Sequence, residues 1–144
     1  DGFDDVIRAA ATEVTRRTEE RIQAATAGLQ GLARIDAIMR EVLPVDATTR
    51  TEAHIVVGFW GRLASLAPSE ESGIPTLPLW RTELAEALDE AIHAGELRPE
   101  TPREDVLTLL RAITYGQQIA EVAEPEDPAA HLRVLTAILA PWQS

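Results

Sequence analysis

Residues 79–116 read LWRTELAEALDEAIHAGELRPETPREDVLTLLRAITYG, and this run decides the fold. Leu84, Leu88 and Ile92 recur at helical spacing behind Trp80 and make one apolar stripe. Gly95 stands where a helix end calls for a residue that accepts a left-handed backbone. Leu97 follows as a hydrophobic plug, and Pro99 keeps the helix from resuming. Thr101-Pro102-Arg103-Glu104 then reads as a capping box with proline at the first helical position, which predicts a second helix from there. Two consecutive helices joined by a glycine stop and a short turn mark the chain as helical.

The same signals predict four more helices on either side. The first covers residues 4–25, with Phe3, Val6, Ile7, Ala10, Val14 and Ile22 inward, and Gly28 and Gly31 break it. Residues 32–42 form the next, burying Ile35, Ile38 and Met39 before Pro44. Asp46 is the predicted N-cap of a third helix reaching to about residue 67. The turn-rich stretch 68–78 (PSEESGIPTLP) is predicted to be a surface loop. The quoted run supplies helices over 79–94 and 102–122, and Asp127-Pro128 opens a last one to about residue 140. No Asn-Gly hairpin signal and no alternating strand pattern occur. The expectation is an all-α, orthogonal or antiparallel bundle of about six helices, folded as one domain of 144 residues.

Several of these residues resemble the C-terminal ligand-binding and dimerisation domain of TetR-family transcriptional regulators. The likeness lies in the Trp80-Arg81 opening of an amphipathic helix, the Ala94-Gly95-Glu96-Leu97-Arg98 break, and the proline-rich acidic turn. The Ala112-x-x-x-Gly116 element and Phe59-Trp60 in a mostly apolar helix complete it. It extends from about Asp5 to the end. The family's N-terminal helix-turn-helix has no counterpart in these residues, which begin where the linking helix of such a regulator would start. The resemblance implies the sensor half of a regulator, commonly a repressor, that reaches operator DNA only through that missing N-terminal domain.

Charge excludes direct nucleic-acid binding by these residues. The net charge is −11, and the 13 basic residues, all arginine, are scattered among 24 acids. Phosphate binding needs clustered cations. Arg8, Arg16, Arg17 and Arg21 come closest to a patch, yet Glu13 with Arg17 and Arg16 with Glu20 are ordinary helix-surface pairs. There is no cysteine, so neither disulfides nor sulfur-ligated metal are expected. The longest mostly apolar run, residues 55–61, is far shorter than the ~20 residues a bilayer span takes. With no signal peptide pattern at the start, cytoplasmic residence without membrane association is the simplest expectation.

Catalytic signatures are missing. No glycine-rich phosphate loop, HExxH or Gly-x-Ser-x-Gly occurs, and His54, His93 and His131 lie far apart. Neither enzyme activity nor a cofactor nor a metal site is expected. Residues 32–42 (LARIDAIMREV) superficially resemble the opening of the small all-helical chorismate mutases, without that family's later basic motifs. A constitutive dimerisation or adaptor module without a ligand is the more serious rival.

Two surfaces carry the functional expectations. The helix over 102–122 and the last helix have more apolar surface than one core contact requires, so both must be buried on more than one side. In the TetR-like domains such helices form a four-helix bundle between subunits. That implies a homodimer through Leu109, Ile113, Gly116, Ala120, Leu132, Leu135, Leu139 and Trp142. In the third helix, His54, Gly58, Gly61 and Ser65 make a small-residue seam beside the bulky Val56, Phe59, Trp60 and Leu63. Two glycines in mid-helix cost roughly 1 kcal/mol each against alanine. Either a neighbouring helix approaches closely there or space is left for a guest. The resemblance favours a guest among the central helices, a small, largely apolar effector. Met39, His54, Phe59, Trp60, Trp80, Tyr115 and Ile119 are the nominated lining. Aromatic faces in an acidic setting would also suit a cationic guest.

Overall fold

A computed structural model, which describes residues 2–65 and 79–144, is all-α. Among the described residues the order is α1 (Gly2–Thr26), α2 (Gly31–Val42), α3 (Ala47–Ser65), α4 (Trp80–His93), α5 (Arg103–Ala123) and α6 (Pro128–Leu139), closed by a 3-10 turn, Ala140–Trp142. No strand forms among them; a lone antiparallel bridge joins Leu97 to Gln143. The loop expected over 68–78 lies outside the described residues.

Most boundaries fall where the sequence signals put them. Asp46 and Thr49 cap α3 reciprocally: the Thr49 amide donates to Asp46 Oδ1 at 2.8 Å, and the Asp46 amide donates to Thr49 Oγ1 at 3.0 Å. Asp127 accepts from the Ala129 amide at 3.0 Å to open α6, with Pro128 in its first turn. Gly95 adopts φ +75° after α4, and the Glu96 and Leu97 amides reach back to the Ala91 carbonyl. Leu97 is fully buried, as a plug should be. The box expected at Thr101 does not form. Its hydroxyl donates instead to the Arg98 carbonyl at 2.6 Å, closing the turn, and α5 starts at Arg103 without a side-chain cap. Local turn closure won over helix capping there.

The core forms where α2 packs on α4. Ile35, Ile38, Met39, Leu84, Ala87, Leu88 and Ala91 have no exposed surface, and Leu97, Leu107 and Leu110 complete the interior. Burying one such leucine or isoleucine stabilises by about 1.5–3 kcal/mol. Carboxylates of the α4 region also close the start of α2. The Gly31 amide donates to Glu90 Oε2 at 2.9 Å and the Leu32 amide to Glu96 Oε1 at 3.2 Å, meeting donors that a helix start leaves open. Arg34 bridges Glu90 and Glu86 beside them. The expected inward face of α1 is right from Val14 to Ile22, whereas Phe3 and Val6 are exposed.

Candidate functional site

α1 runs beside α3 and is tied to it in two places. Near its start, Asp4 accepts two bonds from Arg62, at 2.5 and 2.8 Å. Further along, Arg21 donates to both oxygens of Glu52, at 2.7 and 3.2 Å, and its Nε donates to Glu41 of α2 at 2.9 Å. Burial opposes charge on Arg21, yet the bonds to Glu52 and Glu41 prevail and hold its pKa above the ordinary guanidinium value. Between the two ties the helices leave a cavity of about 410 Å³, within the usual range for small-molecule sites.

Every neighbouring helix contributes to its wall. α1 supplies Ala11, Thr12, Val14, Thr15 and Thr18, and the end of α2 supplies Glu41 and Val42. α3 gives Thr49, Glu52, Ala53, Val56, Phe59, Trp60 and Leu63. Trp80 of α4 and Tyr115 and Gln118 of α5 complete it. The Trp60 and Tyr115 rings meet edge to face at 5.1 Å, and Trp80 meets Tyr115 at 6.3 Å. The wall also carries polar groups. Gln118 donates through Nε2 to the Val42 carbonyl at 2.8 Å, while its buried Oε1 finds no partner among the described residues. Thr12, Thr15 and Thr18 donate their hydroxyl protons to carbonyls one turn back in α1.

The nominated lining divides. Phe59, Trp60, Trp80 and Tyr115 meet at the cavity. Met39 is completely buried in the α2–α4 core, away from it. His54 and Ile119 lie on exposed faces of α3 and α5, because helical spacing alone does not tell the inner face from the outer. The seam His54, Gly58, Gly61 and Ser65 is likewise the outer face of α3, and a methyl group added at either glycine would meet nothing within 4 Å. Among the described residues neither close helix approach nor a cavity accounts for these glycines. The sequence reading missed the α1 threonines, Glu41, Glu52 and Gln118. A usable signal existed in α1, where Ala11, Val14, Thr15 and Thr18 share one thin face that cannot fill the space against α3.

The dimer nominations divide as well. Leu135 and Leu139 are buried in the chain's own core, and Ile113 and Trp142 pack partly against it. Trp142 also lies under the Arg98 guanidinium, 5.5 Å from the ring centroid. Ala120 and Leu132 are half-buried. Leu109 and Gly116 remain exposed and, with Ala112 and Ile119, form a continuous small and apolar stripe along the outside of α5. Leu109 is 47% exposed and Ile119 50%.

Elsewhere the chemistry is structural. Arg16 and Arg17 of the loose basic patch pair with Glu13 and Glu20, and Arg21 belongs to the cavity tie. Arg34 and Arg40, the basic residues of the mutase-like stretch, are each paired with carboxylates. Among the described residues no cluster could hold a metal ion, and no helix is long and apolar enough to cross a membrane. His131 of α6 is the unusual residue. It is 1% exposed and neither ring nitrogen has a partner among the described residues; Glu121, whose Oε2 has none among them either, and Arg50 stand near it. No family model matches the chain, and no curated protein matches it in sequence.

Proposed function

We propose that the chain is the effector-binding and dimerisation domain of a TetR-like transcriptional regulator, a repressor released from DNA when a small, largely apolar organic ligand occupies the cavity. The observation that carries this reading is the cavity's position, between α1 and the rest of the bundle and walled by the aromatic residues of the TetR-like pattern. α1 has 25 residues and spans about 37 Å. In an intact regulator it would connect to the helix-turn-helix. A ligand that touches α1 from Ala11 to Thr18 favours one placement of that helix only so far as its affinity differs between placements. Two DNA-reading helices must match half-sites about one turn of DNA apart, so a small displacement of α1 is enough to release them.

The exposed stripe of α5 supports pairing with a second copy. Leu109, Ala112, Gly116 and Ile119 follow a 3-4-3 spacing, the pattern of a helix seam, and the open space around Gly116 lets another backbone approach. Sedimentation at micromolar concentration should show a dimer, and Ile119→Arg should give a folded monomer. A thermal-shift screen of small organic molecules tests the sensor itself. A ligand at 100 times its Kd raises stability by about 2.7 kcal/mol, and Trp60→Ala should abolish the response. A dimer that ignores every molecule in the screen would be the adaptor module instead.

A further inference from the structure

We infer that the cavity's ligand is an amine, carried as an ammonium ion with at least one N–H on an aromatic or otherwise apolar body. This rests on the cavity being a ligand site, as proposed above, and follows from the chemistry of its wall. No arginine, lysine or histidine lines it among the described residues, whereas Glu41 and Glu52 do. Arg21 is the one cation bonded to either of these carboxylates among the described residues, so two negative charges share one positive charge. The wall is left with one net negative charge. Glu41 holds Arg21 through one oxygen, and its other oxygen has no bond among the described residues.

Gln118, Thr12 and Thr15 lean the same way. Gln118 is fixed by its bond to Val42, which orients the amide and leaves Oε1 as a buried acceptor without a donor among the described residues. Thr12 and Thr15 spend their protons on carbonyls of their own helix and present lone pairs, while the Thr18 hydroxyl donates to the Val14 carbonyl and lies 3.4 Å from Glu52 Oε2. Val42 and Glu41 also form the last turn of α2, the negative end of that helix's dipole. Together these groups give the wall a set of acceptors and negative potential. A carboxylate guest would find repulsion there, and an alcohol could satisfy Gln118 but not the charge. An ammonium N–H meets both needs with charge-assisted bonds. In the same wall, Trp60, Trp80 and Tyr115 offer ring faces and edges to the apolar body and to the flank of the cation.

Calorimetric titration of the full chain with a panel of arylalkyl amines of increasing size, beginning with tryptamine, tests this. Each amine is set against its alcohol and carboxylate counterpart. The amines should bind at least about tenfold more tightly than the alcohols, and the carboxylates should not bind. Glu41→Gln should shrink the amine-over-alcohol ratio by about tenfold while the melting midpoint holds. Gln118→Met, which removes the orphan acceptor by a different route, should weaken amine and alcohol alike. Carboxylates or alcohols that match the amines would overturn the amine assignment and leave the cavity standing as a ligand site. An amine preference undiminished in Glu41→Gln would also overturn it. Failure of the whole panel to bind, with no shift from any molecule in the broader screen, would remove the ligand site itself.

Discussion

Around α2 and α4 the helices meet through side chains with no exposure, whereas α1 and α3 face each other across a space of about 410 Å³. The difference lies in side-chain size and branching. On the first seam Ile35, Ile38 and Met39 oppose Leu84 and Leu88, and the alanines at Ala87 and Ala91 let them interdigitate. On the second, alanine and threonine on α1 oppose Ala53, Val56 and Thr49, too little volume to fill the gap, and the ion pairs at Asp4 and Arg21 set the spacing. Dispersion and burial hold one half. Charged ties at the margins hold the other, and the middle is left open.

Changing side-chain size should expose the contrast most sharply. Leu88→Ala in the filled half should lower unfolding free energy by about 3 kcal/mol in chemical denaturation. In the opposite direction, Ala87→Leu should cost about 1–3 kcal/mol by overpacking. Ala11→Leu, at the cavity wall, should leave stability within about 0.5 kcal/mol, since its methyl groups enter open space, yet it should block ligand binding. If Ala11→Leu proves as damaging as Ala87→Leu, the cavity is closed in solution and the contrast between the halves collapses.

Glycines divide the same way, with smaller effects. Gly31, at the start of α2, has φ +59°, and a Cβ there would sit 1.9 Å from Glu96 Oε1 and 3.4 Å from the Ala91 Cα. Gly31→Ala should cost about 2 kcal/mol through the left-handed backbone alone. Gly58, on the exposed face of α3, has open space around it. Gly58→Ala should stabilise by roughly 0.5–1 kcal/mol through helix propensity. A loss of stability in Gly58→Ala would mean that the face is covered by something outside the described residues.

The sequence pattern makes the filled half easy to read and the hollow half hard. Leu84, Leu88 and Ile92 announce their stripe, and Gly95 and Asp127 mark boundaries by chemistry that works over a few residues. The four aromatic residues of the cavity were also legible, as bulky groups on helices already expected to be central. Glu41, Glu52 and Gln118 were not, because each joins the wall through a partner 20 or more residues away. Helix periodicity says nothing about such pairings. His54 and Ile119 went wrong for a related reason: a helix apolar over a wide arc has two plausible inner faces, and tertiary packing chooses between them. Thr101 shows the opposite limit, where two local motifs compete for one hydroxyl and the turn takes it.

The smallest expected effect is a pH response confined to the α5–α6 side. Burial pushes the His131 imidazole below its ordinary value, against the raising influence of Glu126 and Glu121, while Arg50 adds to the lowering. The folded chain therefore holds His131 neutral where the unfolded chain would already protonate it. Between the unfolded value, near 6.5, and the lower folded one, the unfolded state binds more protons. Stability must then fall as pH drops through that window. The paired carboxylates act in a separate range. A hydrogen bond from Arg103 lowers Asp89, and bonds from Arg16 and Arg17 hold Glu13 at about 2, so their contributions fade only under stronger acid. Melting midpoints of the chain should decline from pH 6.5 downward, and His131→Leu should flatten that first step while leaving the acid limb unchanged. If the variant keeps the first step, the proton is taken up elsewhere and His131 has a partner in solution that its two bare nitrogens do not reveal.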